Sequence, residues 1–228
     1  IYPAVVIMMA IAITTFLIIF VVPTFKSIFA TIGVELPLPT QILIAISDIM
    51  RKWILLVIIA MAAFIFILSR VIKTERGALA WDSMMLKLPV LGVLLRKVAV
   101  ARFARTLSTL QKSGVSILTA LEIVGKTSGN KVIEMAVIQT KLSIKEGESI
   151  AQPLAASKVF PPMVTRMISV GEQTGKLEEM LSKIADFYES EVDAAVSGLT
   201  SLIEPLIIAF LGIVVGGIVI SMFLPIVK

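Results

Sequence analysis

Three long uncharged blocks interrupt a chain whose other segments mix apolar and charged residues. Residues 1–25 carry no charge, residues 53–69 lie uncharged between Lys52 and Arg70, and residues 205–227 form the third block. A helix needs about 20 apolar residues to cross the ~30 Å hydrocarbon core of a bilayer, so the second block is at the short limit. Because Lys52 and Arg70 can extend their charges to the interfaces, the pattern still predicts three transmembrane helices. A buried soluble hairpin is the alternative for the second block.

The first and third blocks are flanked by the same types of residue in the same order. Each is bracketed by two prolines and a lysine, and the second set follows the first at one constant sequence separation. The residues are Pro3, Pro23 and Lys26 in the first block and Pro205, Pro225 and Lys228 in the last. Prolines are tolerated near the ends of membrane helices, so coincidence is the alternative. A true repeat implies that both helices cross in the same direction, and that a relative of the segment before Glu204 precedes Tyr2. The chain is therefore expected to be a fragment cut at the membrane border.

Residues 70–204 are predicted to form an all-helical domain. Apolar residues recur there at helical spacing, glycines and prolines separate the segments, and no period-two strand pattern is present. The segment after Asn130 is expected to bury one stripe of side chains: Val132, Ile133, Ala136, Val137, Leu142 and Ile144. After Gly175 the helix breakers before Pro225 are Gly198 and Pro205, so a single helix of about 49 residues is predicted, with Glu204-Pro205 as its hinge.

Charge sets the expected orientation of the spans. Basic residues cluster after the second block, and the same stretch contains only two acidic residues, Glu75 and Asp82. The basic residues are Arg70, Lys73, Arg76, Lys87, Arg96, Lys97, Arg102 and Arg105. By the positive-inside rule this side is cytoplasmic, and the connection of residues 26–52, with Glu35, faces the periplasm. Hydrophobic residues make up 57% of the chain, which favours a membrane protein. The net charge of +5 follows from the inside bias, so no nucleic-acid partner is predicted.

Residues that carry most catalytic and metal chemistry are missing from the sequence. The chain has no cysteine and no histidine, which excludes disulfides, thiolate chemistry and imidazole acid–base work. It also has no glycine-rich phosphate loop and no nucleophile elbow. The sequence therefore predicts no enzyme, no cofactor and no metal site.

Short motifs along the whole chain resemble the type II secretion F family. In order they are Tyr2-Pro3, Val21-Val22-Pro23, Leu88-Pro89-Val90, Arg96-Lys97-Val98-Ala99, Ala101-Arg102-Phe103, Ser113-Gly114-Val115, Gly147-Glu148-Ser149, Phe160-Pro161-Pro162, Gly171-Glu172-Gln173-Thr174-Gly175 and Asp186-Phe187-Tyr188. Family members carry two homologous cytoplasmic helical domains, each leading into a membrane helix. The resemblance implies that this chain lacks the first of them. The run from Gly129 to Glu134 is similar to members that assemble type IV pili.

The resemblance also implies a function and its partners. The expected role is the inner-membrane platform of a type IV pilus machine, with a cytoplasmic assembly ATPase, a pilin transmembrane helix and other inner-membrane assembly proteins as partners. Anionic lipids and further copies of the chain are also expected partners. A type II secretion platform that handles pseudopilins is the alternative. A transporter or permease subunit is a weaker one, because the three blocks carry no charge at their centres.

Two groups of residues in the predicted helical domain are candidate partner contacts. Arg102 and Arg105 could meet an acidic motor surface or anionic headgroups, with a solvated helix face as the alternative. Gly171, Glu172 and Gly175 could form a contact turn beside the motor, and a helix-ending glycine turn is the alternative.

The third block carries further candidates. Gly212 and Gly216, with Gly217 adjacent, permit close approach of a pilin helix or another span, and packing within the same molecule is the alternative. Glu204, beside Pro205, would be unusual facing lipid, so it is expected to pair with a basic residue of the domain or to lie close to water.

Overall fold

The computed structural model describes residues 2–32 and 36–227. Its elements in chain order are α1 (Tyr2–Phe16), a π-helical segment (Leu17–Val21), α2 (Val22–Ile32), α3 (Leu38–Ile72), α4 (Glu75–Lys87), α5 (Leu91–Lys112), α6 (Ile117–Thr127), α7 (Lys131–Lys145), α8 (Ala151–Ala156), α9 (Pro162–Thr174) and α10 (Leu177–Val227). Over this part of the chain the all-helical prediction is confirmed. Glu35 and Lys228 lie outside the described residues.

Three segments are helical, long and apolar enough to span a membrane. They are Val5–Thr31, Leu38–Ile72 and Leu177–Pro225, and the most apolar stretch of 18 residues in each has a mean hydropathy of 3.0, 2.8 and 2.8, respectively. In the most apolar window of α3 no residue is buried, whereas a soluble hairpin would hide those side chains from water. The prediction of three apolar helices is therefore confirmed. α3 also begins well before residue 53, so much of the expected connection of residues 26–52 is helical.

The chain divides into two compact units. The membrane unit comprises residues up to Ile67 and from Gly198 onward, and the bundle comprises Leu68–Ser197. α10 begins in the bundle and continues without a helical break into the membrane unit, and Pro205 lies inside it. The long final helix that the sequence predicts is thus present.

The bundle is held by one apolar core to which α5 contributes most centrally. Phe103 lies edge-on to Phe160, with ring centroids 4.8 Å apart. Fully buried side chains from five helices surround this pair: Val100, Leu107, Leu121, Ile133, Val137, Ile168, Leu181 and Ile184. Burying each such side chain contributes roughly 1.5–3 kcal/mol to folding.

One member of the predicted stripe on α7 is exposed, while Val132 and Ile144 are partly buried against the core. The buried residues of α7 are Ile133, Ala136, Val137, Thr140 and Ser143, whereas Leu142 is 46% exposed. Leu142 follows Ile133 by two and a half helical turns, which places it on the opposite face. The burial prediction for Leu142 is therefore wrong.

The π-helical segment and the proline that follows it leave one backbone carbonyl without an amide donor. The Val22 amide donates to the Leu17 carbonyl, five residues back. The next bond of this pattern would reach the Ile18 carbonyl from position 23, but Pro23 has no amide hydrogen. Ser47 of α3 fills the gap, since its buried hydroxyl donates to the Ile18 carbonyl at 2.5 Å.

Pro225 creates the same vacancy in α10. In a regular α-helix its amide would donate to the Ser221 carbonyl, and proline cannot. The buried hydroxyl of Thr40 donates to that carbonyl instead, at 2.5 Å. Thr40 and Ser47 are two helical turns apart on one face of α3, with Ile44 between them. One helix therefore satisfies the carbonyls freed by Pro23 and Pro225, the second proline of each repeat.

This arrangement predicts that the two hydroxyls stabilise the membrane unit. Thr40→Val and Ser47→Ala should each lower the free energy of unfolding by about 1–2 kcal/mol, because a carbonyl in an apolar setting loses its partner. Denaturant titration in detergent micelles measures this change. Ser27→Ala is the matched control, since the exposed Ser27 hydroxyl bonds only the Thr24 carbonyl of its own helix. Equal stability of all three variants would contradict the prediction.

Candidate functional site

A charged seam joins α5 to the first turns of α10. Arg105 donates from Nε to Glu189 Oε1 (2.8 Å) and from Nη2 to Glu189 Oε2 (2.6 Å) and to Asp186 Oδ1 (2.5 Å). The bonds to Glu189 and Asp186 raise the pKa of the Arg105 guanidinium above its ordinary value. In the same seam, Lys97 Nζ lies 2.7 Å from Glu191 Oε2. The charge of Arg105 is thus used to hold two helices of the bundle together.

Arg102, one turn earlier on α5, is in a different situation. It is exposed, and within the described part of the chain it forms no hydrogen bond or ion pair. Its Nη1 lies beside the turn at Gly129, where an added Cβ would approach it to 2.8 Å. Arg102 also lines an open groove of about 410 Å³ together with Val98, Ala101, Glu189, Val192 and Asp193. Its guanidinium is therefore available to an outside partner.

The turn between Gly171 and Gly175 has structural roles inside the bundle. Gly175 adopts φ 70° and ends α9, and the Lys176 amide donates back to the Gly171 carbonyl at 2.9 Å. Gly171 is buried, and a Cβ there would lie 3.0 Å from the Leu177 Cα. The turn is thus a helix-ending turn in which α9 and α10 approach closely.

Glu172 of the same turn supports a neighbouring helix. Its carboxylate oxygens accept two bonds from the Ile150 amide, at 3.0 and 3.1 Å. Ile150 is the residue that precedes the first turn of α8, so the carboxylate satisfies a free amide at a helix start. Glu172 therefore contributes to the fold of the bundle whether or not it also meets a partner.

The candidates on α10 are open. An added Cβ at Gly212, Gly216 or Gly217 would meet nothing within 4 Å. Gly217 nevertheless lines a groove of about 430 Å³ together with Pro39, Leu43 and Ile46 of α3, so this end of the glycine face borders α3 without close contact. Glu204 is exposed and has no hydrogen bond or ion pair within residues 2–32 and 36–227, and Pro205 beside it is also exposed.

Sequence reasoning missed the partners of Arg105 and the role of Glu172. The acidic residues Asp186 and Glu189 lie a turn apart on α10, a spacing that could have signalled a pairing face. No pattern in the sequence indicates which basic residue meets them. Among the described residues, no group of three or more His, Cys, Asp or Glu side chains could hold a metal ion. The arrangement can therefore form charged and apolar contacts.

Fold and surface together define a polytopic helical membrane protein with an attached helical bundle. Residues 103–225 match the family model described as type II secretion system (T2SS), protein F. The chain belongs to this family.

Similar proteins fall into two groups. The chain is 48% identical over 225 residues to a type IV pilus assembly protein PilC of Myxococcus xanthus, covering 99% of this chain and 54% of that protein. It is 48% identical over 228 residues to PilC of Thermus thermophilus, covering 100% and 56%. A type II secretion system protein F of Pseudomonas aeruginosa is 34% identical over 225 residues, covering 99% and 56%. The chain thus spans slightly more than half the length of these relatives.

The geometry at Glu172 gives a test of its structural role. Glu172→Ala removes both bonds to the Ile150 amide and should lower the free energy of unfolding by about 1–2 kcal/mol. Thermal unfolding of the purified chain, monitored by circular dichroism, measures this loss. Gln173→Ala is the control, because the exposed Gln173 side chain bonds only Ser169 of its own helix. Unchanged stability of the Glu172 variant would show that its carboxylate does not support α8.

Proposed function

We propose that this chain is part of the inner-membrane platform of a type IV pilus assembly machine. The platform couples a cytoplasmic motor ATPase to the insertion of pilin subunits into the fibre. The observation that carries the proposal is identity of 48% to pilus assembly proteins along nearly the whole chain, against 34% to a secretion system protein F. A type II secretion platform for pseudopilins is the second candidate, supported by the shared family.

The proposed topology follows from charge and span length. The bundle, within residues 70–204, lies in the cytoplasm because basic residues crowd the end of α3 and the helices after it. Residues 1–25, 53–69 and 205–228 cross the bacterial inner membrane, and residues 26–52 connect the first two spans on the periplasmic side. The platform acts without chemistry of its own and forms a homo-oligomer with other inner-membrane assembly proteins around it.

Arg102 is the proposed motor contact in the bundle. It is exposed and unpaired among the described residues, while Arg105 is held by Asp186 and Glu189. On α10, the open face at Gly212 and Gly216 is proposed to receive the transmembrane helix of a pilin, since small residues let helix backbones approach closely. Glu204 and Pro205 are proposed to lie at the cytoplasmic border of that contact. Gly171 and Gly175 shape the turn from which α10 begins.

The motor contact is tested by reversing one charge. Arg102→Glu should weaken binding of the assembly ATPase about fivefold, as expected for loss of ~1 kcal/mol from an exposed charge contact. Wild-type binding should also weaken as salt rises, because exposed charges are screened. Titration of the reconstituted chain with the ATPase measures both effects. The exposed Arg166 of α9 supplies the charge-matched control, Arg166→Glu.

Arg105→Glu serves as a second comparison. This change sets like charges against Asp186 and Glu189, so it should lower the stability of the bundle as well as binding. Full ATPase affinity in the Arg102 variant would remove Arg102 from the proposed contact.

The proposed transmission of motor movement along α10 is tested by interrupting this helix just after the residues that pair with α5. Ala195→Pro deletes a helical hydrogen bond and introduces a clash, at about 3 kcal/mol or more in a helix interior. The variant should insert and bind the ATPase yet fail to assemble pili. Ala195→Gly, at about 1 kcal/mol, should keep partial assembly. Normal piliation of the proline variant would show that pilus assembly does not need a continuous α10.

A further inference from the structure

The corner between α4 and α5 exposes a run of apolar side chains. Leu88, Val90, Leu91 and Val93 are 36%, 58%, 47% and 59% exposed, respectively. Gly92 among them is buried, where a Cβ would lie 2.4 Å from the Leu86 carbonyl oxygen, so the two helices meet tightly beneath the run. We name residues 88–93 the apolar corner.

The backbone at the apolar corner is strained. Val90 has φ 67° and ψ −63°, and the Leu91 amide donates to the Pro89 carbonyl at 2.8 Å, which closes a γ-turn. A positive φ is unfavourable for a β-branched residue, and this form of γ-turn is rare. Glycine would adopt the same conformation without steric cost. The chain instead holds a valine there with its side chain outward, and such strain is often found at functional contacts.

Positive charge flanks the apolar corner. Lys87 and Arg96 are exposed on either side of it. The sequence from residue 83 to residue 121 contains no Asp or Glu. Apolar side chains with basic neighbours are typical of surfaces that lie in the headgroup region of anionic membranes. A symmetric contact between two copies would instead bring the basic residues that flank the apolar corner in one copy close to those of the other, which is unfavourable.

The position of the apolar corner in the bundle fits the same partner. α5 runs antiparallel to the beginning of α10, because Lys97 contacts Glu191 whereas Ser108, further along α5, contacts the earlier Glu178. The start of α5 therefore lies level with the last turns of α10 inside the bundle. From those turns α10 continues into its uncharged apolar segment.

We propose that the apolar corner is a membrane-surface anchor, in which Val90, Leu91 and Val93 enter the interface of an anionic bilayer. Lys87 and Arg96 bind the lipid phosphates beside them. The anchor fixes the start of α5 against the lipid surface independently of the transmembrane helices.

The absence of native cysteine allows a direct test of depth. Val90→Cys in the full chain is labelled with an environment-sensitive fluorophore and reconstituted in nanodiscs of phosphatidylcholine alone or mixed equally with phosphatidylglycerol. A nitroxide-labelled lipid should quench the probe in the anionic discs. Lys87→Gln and Arg96→Gln should each weaken this lipid contact about fivefold, the effect of one basic residue near an anionic surface. Leu142→Cys, on the exposed face of α7, is the matched apolar control and should not be quenched.

A second variant separates lipid contact from folding. With the probe at Val93→Cys, an added Val90→Gly change relieves the positive φ and removes an apolar side chain. Its thermal midpoint should stay equal or rise while lipid quenching falls. Quenching at position 90 no greater than at position 142, or equal in both disc compositions, overturns the proposal. Shielding of position 90 from aqueous iodide without lipid quenching indicates a protein partner and also overturns it.

Discussion

Backbone hydrogen bonding in hydrocarbon is the constraint on which the membrane unit depends. A carbonyl without a donor is unfavourable there, and proline removes donors. Pro23 and Pro225 each free a carbonyl, at Ile18 and Ser221, and α3 supplies a hydroxyl to both. The same hydroxyls fix the rotation and register of α3, because Thr40 and Ser47 must face the two freed positions at once. The helix contacts around Ile44, Val22, Ile218 and Met222 then follow.

Ion pairing inside the bundle, rather than position in the sequence, decides which of its charged side chains can still bind a partner. Arg102 and Arg105 are three residues apart on one helix, yet Arg105 is held by two carboxylates and Arg102 by none among the described residues. Glu172 is likewise used to cap α8. The proposed motor contact is therefore Arg102. The ion pairs of Arg105 hold α5 and α10 together when the motor acts on that contact.

α10 links the proposed activities of the two units. Its first turns carry the seam with α5, and its later turns present the open glycine face. A helix transmits displacement along its axis as long as its hydrogen-bond ladder continues, and Pro205 removes only one bond from that ladder. The apolar corner at the start of α5 would add a second point of attachment to the membrane. Motion of a motor could then reach a pilin through one continuous element.

The sequence by itself determined the helical class, the three apolar segments, the long last helix and the family, because hydropathy, breaker residues and motifs are local properties of the chain. The helical period alone places Leu142 opposite Ile133, but only the tertiary structure shows which of these two faces of α7 the core covers. The sequence also left open the partners of Arg105 and the purpose of Thr40 and Ser47. Those depend on residues tens or hundreds of positions away, which only the tertiary structure brings within hydrogen-bonding distance.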